Sequence, residues 1–250
     1  MLSHNKINIG GVLIDNVSMD ETLEHIEHFI KEGKPCYLTN PNVDVIMRFT
    51  KDKDFADYYR KGALCTADGT PIMWAARFLG TPLKEKVSGS DLVPRVCELA
   101  NRKGYKLFFL GGRPGAADAA KETLLKRLPH LNIVGTYAPP FGFEKDTTEL
   151  ARIASMIKEA KPDILFVGLG APKQENWIRD NYKNLGVPVF MGVGVTFEFI
   201  AGIVKRAPKW MQSAGLEWLW RLMMEPGRLW KRYLIDDMPF FFLILKQRFK

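Results

Sequence analysis

Six short apolar runs alternating with six segments of helical periodicity predict an α/β fold, a Rossmann-like parallel sheet covered by helices. A strandless, basic and tryptophan-rich stretch after Gly194 adds a C-terminal helical appendage. The runs CYLTN, ALCTAD, KLFFLGG, NIVGTY, DILFVGLG and PVFMGVG are continuously apolar and end at glycine or polar residues, as strands buried on both faces do. Between them, 42–60, 71–79, 90–103, 114–128, 147–160 and 173–184 carry apolar residues at helical spacing. Leu92, Val96 and Leu99 form one such stripe, and Leu124, Leu125 and Leu128 another. Residues 7–17 predict an antiparallel pair turning at Gly10-Gly11, followed by a helix over 20–32. Beyond Gly194, 208–224 and 227–250 read as two or three helices, with Pro208, Pro226 and Pro239 near their starts. The expected organisation is a core over 1–195 and a helical appendage over 196–250. No uncharged run reaches the roughly 18 residues that a spanning helix needs.

Composition narrows the class. With 46% apolar and 26% charged residues, the 250-residue chain is globular and long enough to bury a sizeable core. Cys36, Cys65 and Cys97 lie in apolar segments and form no CxxC pair, which suits reduced core cysteines of a cytoplasmic protein. The opening residues, MLSHNKINIGG, lack the apolar centre of a secretory signal. The formal net charge is +8, and ten Lys/Arg against four Asp/Glu in the last fifty residues account for six of it. Trp210, Trp218, Trp220 and Trp230 lie in the same segment. Such a tail meets phosphates, of nucleic acid or of anionic lipid. A nucleic-acid-binding protein would spread basic residues over the core as well, and the core is nearly neutral.

In a doubly wound sheet, ligands bind beyond the carboxyl ends of the strands. This selects Thr39-Asn40, Asp68-Gly69, Gly111-Gly112, Tyr137, Gly168 to Gln174 and Gly192 to Gly194. Three of these loops are glycine-rich. Glycines there either permit tight turns or let backbone N–H groups approach a phosphate, and three loops on one edge favour a phosphate-bearing ligand. FLGGRPGAA departs from the dinucleotide spacing, and no carboxylate follows at the ribose position, which argues against a nicotinamide enzyme. No cofactor and no metal are expected. His25 and His28 share a helix with Glu21 and Glu24 and read as a solvated face. Asp52-Lys53-Asp54 imitates a DxD nucleotide-sugar motif but lies between two helical stretches, as a turn or helix start. The carboxylates placed for proton transfer are Asp68 and Glu175, with Asp91 and Glu198 behind them. Asp68 also suits a plain helix cap. Lys173 and Gln174 open a helix after GLGAP and would face whatever that loop binds.

The segments TNPN (Thr39 to Asn42), ADGTP, KVSGSD, GLGAPKQENW, GVGVTFEFIAG, RAPKWM and GLEWLWRL…EPGRLWKRY together resemble the WecG/TagA/CpsF glycosyltransferases, in order and over nearly the whole chain. The likeness is greatest to members that move N-acetylmannosamine from UDP onto undecaprenyl-diphosphate-linked N-acetylglucosamine through a β-1,4 linkage, committing it to wall teichoic acid. A different UDP-sugar, a uronic acid or hexose used for exopolysaccharide or enterobacterial-type antigen, is the alternative. The resemblance implies an inverting, metal-independent transfer with Asp68 as general base and Thr39 near the sugar and diphosphate. It places Lys86 and Gln174 around the substrates, where Asn40, Asn42, Tyr137, Gly168, Gly170, Lys173, Gly192 and Gly194 of the strand-end loops are expected to join them. Lys86 stands where the family usually has arginine, which keeps the charge but not bidentate phosphate binding. The appendage is expected to dock on the membrane and to supply Arg221, Arg228 and Arg232, with Lys231 beside them. The plain alternative is a helical hairpin closing the core. The implied partners are the UDP-sugar, the lipid-linked acceptor, an anionic membrane surface and a possible second copy of the chain, not nucleic acid. The implied location is the inner face of the bacterial plasma membrane.

Overall fold

The computed structural model describes residues 4–249, the side chain of Arg228 excepted. In chain order it contains β1 (Lys6–Ile9), β2 (Val12–Asp15), α1 (Met19–Glu32), β3 (Cys36–Thr39), α2 (Val43–Phe49), α3 (Lys53–Lys61) and β4 (Leu64–Cys65). Then follow α4 (Thr70–Phe78), α5 (Gly89–Lys103), β5 (Lys106–Gly111), α6 (Ala116–Arg127), β6 (Asn132–Tyr137) and a 3₁₀ turn (Phe143–Lys145). The next elements are α7 (Thr147–Ala160), β7 (Ile164–Gly168), α8 (Lys173–Asn181), β8 (Val189–Gly192) and α9 (Thr196–Ile200). The chain closes with α10 (Lys209–Ser213), α11 (Glu217–Met224), α12 (Pro226–Lys231), a π-helical turn (Arg232–Asp236) and α13 (Pro239–Arg248). These elements form two compact units. One joins Met1–Met19, Asn40–Ser88 and Lys205–Lys250, and the other joins Asp20–Thr39 and Gly89–Val204.

The second unit carries the parallel sheet that the apolar runs predict. Its five strands lie in the order β3-β8-β7-β5-β6, all parallel. Every residue of β7 is buried, as is every residue of β5 after Lys106, so continuous apolar runs are what these strands require. Phe109 of β5 stacks on Phe197 of α9, with ring centroids 4.9 Å apart, and tilts against Phe166 of β7 at 5.6 Å. Removing a fully buried ring of this kind costs about 3–5 kcal/mol. Gly135 breaks the apolar run of β6 because a Cβ there would lie 2.3 Å from the Phe108 ring. His25 corrects the expectation of a solvated face: it is buried on α1 against Phe29, and only His28 reaches the surface side, where it pairs with Glu32.

The first unit begins with the expected hairpin. Gly10 and Gly11 both take positive φ, the turn that joins two twisted strands in two residues. Gly10 is also irreplaceable on steric grounds, since a Cβ would lie 2.7 Å from Ile46 of α2 and 3.0 Å from Leu243 of α13. Gln247 clamps the same hairpin, accepting from the Gly10 N–H and donating to the Asn8 carbonyl. The last helix is thus built into this unit. Buried Asp15 accepts from the Cys65 N–H at 2.7 Å and joins the hairpin to β4.

Two helical expectations change. Residues 42–60 form two helices, because Asn42 caps α2 and Asp52 caps α3 by accepting from Phe55 N. The DKD triplet is therefore a helix start. The segment after Pro208 breaks into more pieces than two or three, at Gly215 with φ +74° and ahead of Pro226 and Pro239. Among the described residues, no helix is long and apolar enough to cross a membrane.

Candidate active site

In the first unit, three loops carrying expected site residues are knit together by backbone and buried hydroxyl bonds. The Asp68 N–H donates to the Pro41 carbonyl and the Val87 N–H to the Ala67 carbonyl. Thr66, fully buried, donates its hydroxyl proton to the Val87 carbonyl at 2.9 Å and accepts from Asn40 Nδ2. Because that proton is committed to Val87, the Asn40 amide must present nitrogen to Thr66. Its Oδ1 is left buried without a partner. Asp68 leads directly into α4, whose cap position belongs to Gly69, with φ +101°. Lys86 lies one residue before Val87 in the third loop. Asn42 caps α2, its Oδ1 accepting from the Val45 N–H at 3.1 Å.

Arg206, Arg221 and Arg232 of the C-terminal segment lie beside carboxylates. Glu217 sits between Arg206, at 3.1 Å, and Arg221, at 3.8 Å. Arg232 opens the π-helical turn and lies 3.7 Å from Asp44 and 3.9 Å from Asp237, its guanidinium over the Tyr233 ring. π turns inside helices recur at functional positions. Asp237 is buried, and burial pushes its carboxyl up to about 6, with Arg232 opposing the rise and Asp44 and Asp236 adding to it. The expectation for Arg228 falls on a side chain outside the described residues; its backbone belongs to α12.

In the second unit, the strand ends bring Thr39, Gly168 and Gly192 to Gly194 to one edge, β3, β8 and β7 being neighbours. Thr39 itself is buried. Tyr137 is set apart from Thr39, since β6 and β3 are the outer strands and lie four strand spacings, about 19 Å, apart. Its phenol donates to Glu149, which with burial raises its pKa, and Arg152 lies over its ring at 5.2 Å.

The glycines divide into two groups. A Cβ at Gly111 would meet the Gly168 carbonyl oxygen at 2.5 Å, and one at Gly168 would meet that of Gly194 at 2.9 Å. A Cβ at Gly192 would overlap the Gln174 amide at 2.2 Å. At these positions glycine serves the contact of loop on loop. Gly170 and Gly194, with φ of +74° and +53°, have open space where a Cβ would stand. They are the positions where a ligand could approach the backbone. Gln174 secures this edge, its Oε1 accepting from the Gly194 N–H at 2.9 Å and its Nε2 donating to Glu175 at 3.3 Å. Lys173 is held at the start of α8 by Glu144, 2.6 Å away, and by the Phe141 ring. The same lysine, through its hydrogen bond, lowers the Glu144 carboxyl. Glu198 accepts from the Arg113 N–H at 2.9 Å while its Oε2 is buried without a partner. Among the described residues, no three His, Cys, Asp or Glu side chains assemble into a metal-binding group.

Comparison with known proteins gives one answer. The model of the glycosyl transferase WecG/TagA/CpsF family matches residues 7–250. An N-acetylglucosaminyldiphosphoundecaprenol N-acetyl-beta-D-mannosaminyltransferase of Staphylococcus aureus (strain MW2) is 31% identical over 231 residues, covering 91% of this chain and 86% of the relative. A protein of the same name from Bacillus subtilis (strain 168) is 30% identical over 221 residues, covering 88% and 83%.

Proposed function

Because the chain belongs to the WecG/TagA/CpsF family of glycosyltransferases, we propose that it moves N-acetylmannosamine from UDP-N-acetylmannosamine to undecaprenyl-diphosphate-linked N-acetylglucosamine, in wall teichoic acid synthesis. The observation that carries the substrate assignment is that relatives matching about nine-tenths of the chain share this activity in their names. In this reading the acceptor hydroxyl oxygen attacks C1 of the donor sugar from the face opposite UDP. The new C1–O bond forms as the C1–O bond to the diphosphate breaks, UDP keeps the electron pair, and Asp68 takes the hydroxyl proton.

Asn40 and Thr39 serve the sugar and diphosphate. Charge building on the departing diphosphate is met by Lys86, Arg221, Arg228 and Arg232 and by the backbone at Gly170, while Gly194 leaves open space beside it. Gln174 and Lys173 position that edge rather than react. Residues 1–195 then form the catalytic core. Residues 196–250 hold it to the inner face of the plasma membrane, a role that exposed Trp210, Trp230, Leu234 and Ile235 among basic residues support.

The test is a donor panel with a short-chain prenyl-diphosphate N-acetylglucosamine acceptor and released UDP as the readout. UDP-N-acetylmannosamine is expected to be the preferred donor. Preference for a uronic acid or another hexose would move the protein to a different branch of the same family.

A further inference from the structure

The first unit contains a groove that the catalytic and anchoring roles leave unused. It lies between α4 and α13 and holds about 340 Å³. Every residue that lines it is apolar. Phe240 and Ile244 make a floor that is 1% and 5% exposed. Trp74, Phe78, Phe242 and Leu245 stand at the rim, between 48% and 70% exposed. Trp74 and Phe78 lie four residues apart, on one face of α4. α13 is apolar on both its buried and its open side, which packing inside the unit does not require. Contiguous open apolar surface of this kind marks a binding surface.

The lining excludes most ligands. A nucleotide, a sugar or an ion would lose water in the groove and find no hydrogen-bond partner. What fits is a hydrocarbon, and the course of the groove selects which one. Pro71 lines it from the first turn of α4, three residues after Asp68. Phe78 lines it from the last turn. There the Arg248 guanidinium donates to the Leu79 carbonyl at 3.2 Å and ties α13 to the end of α4. The groove thus follows α4 from Pro71 to Phe78, about 11 Å, and its near end is three residues from the proposed base.

We propose that this groove binds the first isoprene units of the acceptor, so that the protein itself grips the polyprenyl chain; this rests on the lipid-linked acceptor of the proposed function. The acceptor joins a hydrocarbon chain to its reacting sugar through a diphosphate, and the groove supplies an apolar track whose first residue, Pro71, follows Asp68 by three positions. Bilayer acyl chains have no covalent link to the reacting group and no reason to begin at that end of α4.

The test uses N-acetylglucosamine diphosphates bearing ethyl, geranyl or farnesyl chains, each below its micelle concentration and without membrane or detergent. UDP release is followed for the full-length wild type and for a Trp74→Ser, Phe242→Ser double variant, whose positions are exposed. Each buried methylene-sized group is worth a factor of about four, so KM should fall at least tenfold from ethyl to farnesyl in the wild type. The variant should lose that preference and keep wild-type turnover on the ethyl acceptor. If the double variant fails to fold, Leu245→Ser carries the same comparison.

Equal KM values across the three chains in the wild type would overturn the proposal, as would a folded variant that retains the preference. A variant that keeps the preference but no longer binds anionic vesicles would assign the rim to the bilayer instead. If no acceptor is used although UDP-sugar binds, the acceptor assignment has failed and the groove proposal falls with it.

Discussion

Replacing Asp237 with Asn should stabilise the protein at neutral pH and leave it unchanged in acid. Asp237 is 8% exposed, its Oδ1 has no partner, and its Oδ2 lies 3.9 Å from Arg232, too far for a hydrogen bond. Burial and the neighbouring Asp44 and Asp236 carry its carboxyl from 3.8 to about 6 against the pull of Arg232. The folded state therefore binds this proton more tightly than the unfolded chain. The resulting stabilisation is fully present below about pH 4 and is lost as pH rises through about 6. A rise of that size corresponds to about 3 kcal/mol. The variant sacrifices the distant attraction to Arg232, which reduces the expected gain at pH 8 to roughly 1–3 kcal/mol, a few degrees in Tm. Thermal unfolding of both proteins by circular dichroism, at intervals from pH 4 to 8, measures the difference directly. A difference that does not grow between pH 4 and 7, or a variant less stable at pH 8, would show that Arg232 compensates the buried charge and that the reasoning is wrong.

Three further outcomes bear on catalysis. Asp68→Asn should lower turnover by about 10²–10⁴-fold while UDP binding persists, and near-normal turnover would remove Asp68 from the mechanism. Activity should survive excess chelator; loss with EDTA and recovery with a divalent ion would reopen the question of a metal. Replacing Arg221 and Arg228 together by Ala should depress turnover strongly and weaken binding to anionic vesicles only in part, because each basic residue near such a surface contributes about 1 kcal/mol among many. Loss of vesicle binding with turnover intact would make these arginines anchors alone.

The elements were legible where the local signal was strong. The apolar runs at 36–40, 106–112, 163–170 and 188–194 became parallel strands because only a strand buried on both faces needs such a run. Asn42 and Asp52 show the opposite case. Both are cap residues within one stretch of helical periodicity, and the periodicity continued across the break between them. His25 looked solvated beside its acidic neighbours, and its burial follows from the side of α1 that it shares with Phe29. The glycine loops could be read as turn or as phosphate site from the sequence. The space around each missing Cβ separates Gly111, Gly168 and Gly192 from Gly170 and Gly194.

Residue order alone was enough for the alternation of strands and helices, for the sheet edge where the glycine loops gather, and for the family. Each of these is written in short segments, through periodicity, turn chemistry and motif. Other features needed the folded chain. Gly69 rather than Asp68 caps α4 because of a backbone angle, and Asn40 keeps a buried acceptor because Thr66 commits its proton to Val87. Arg232 meets Asp44, and Arg206 shares Glu217 with Arg221, only after distant segments have packed together. α13 completes a unit begun by residues 6–15, at the opposite end of the chain. Burial and hydrogen-bond geometry are relations between atoms in space, and they exist only once folding has brought those atoms within reach of one another.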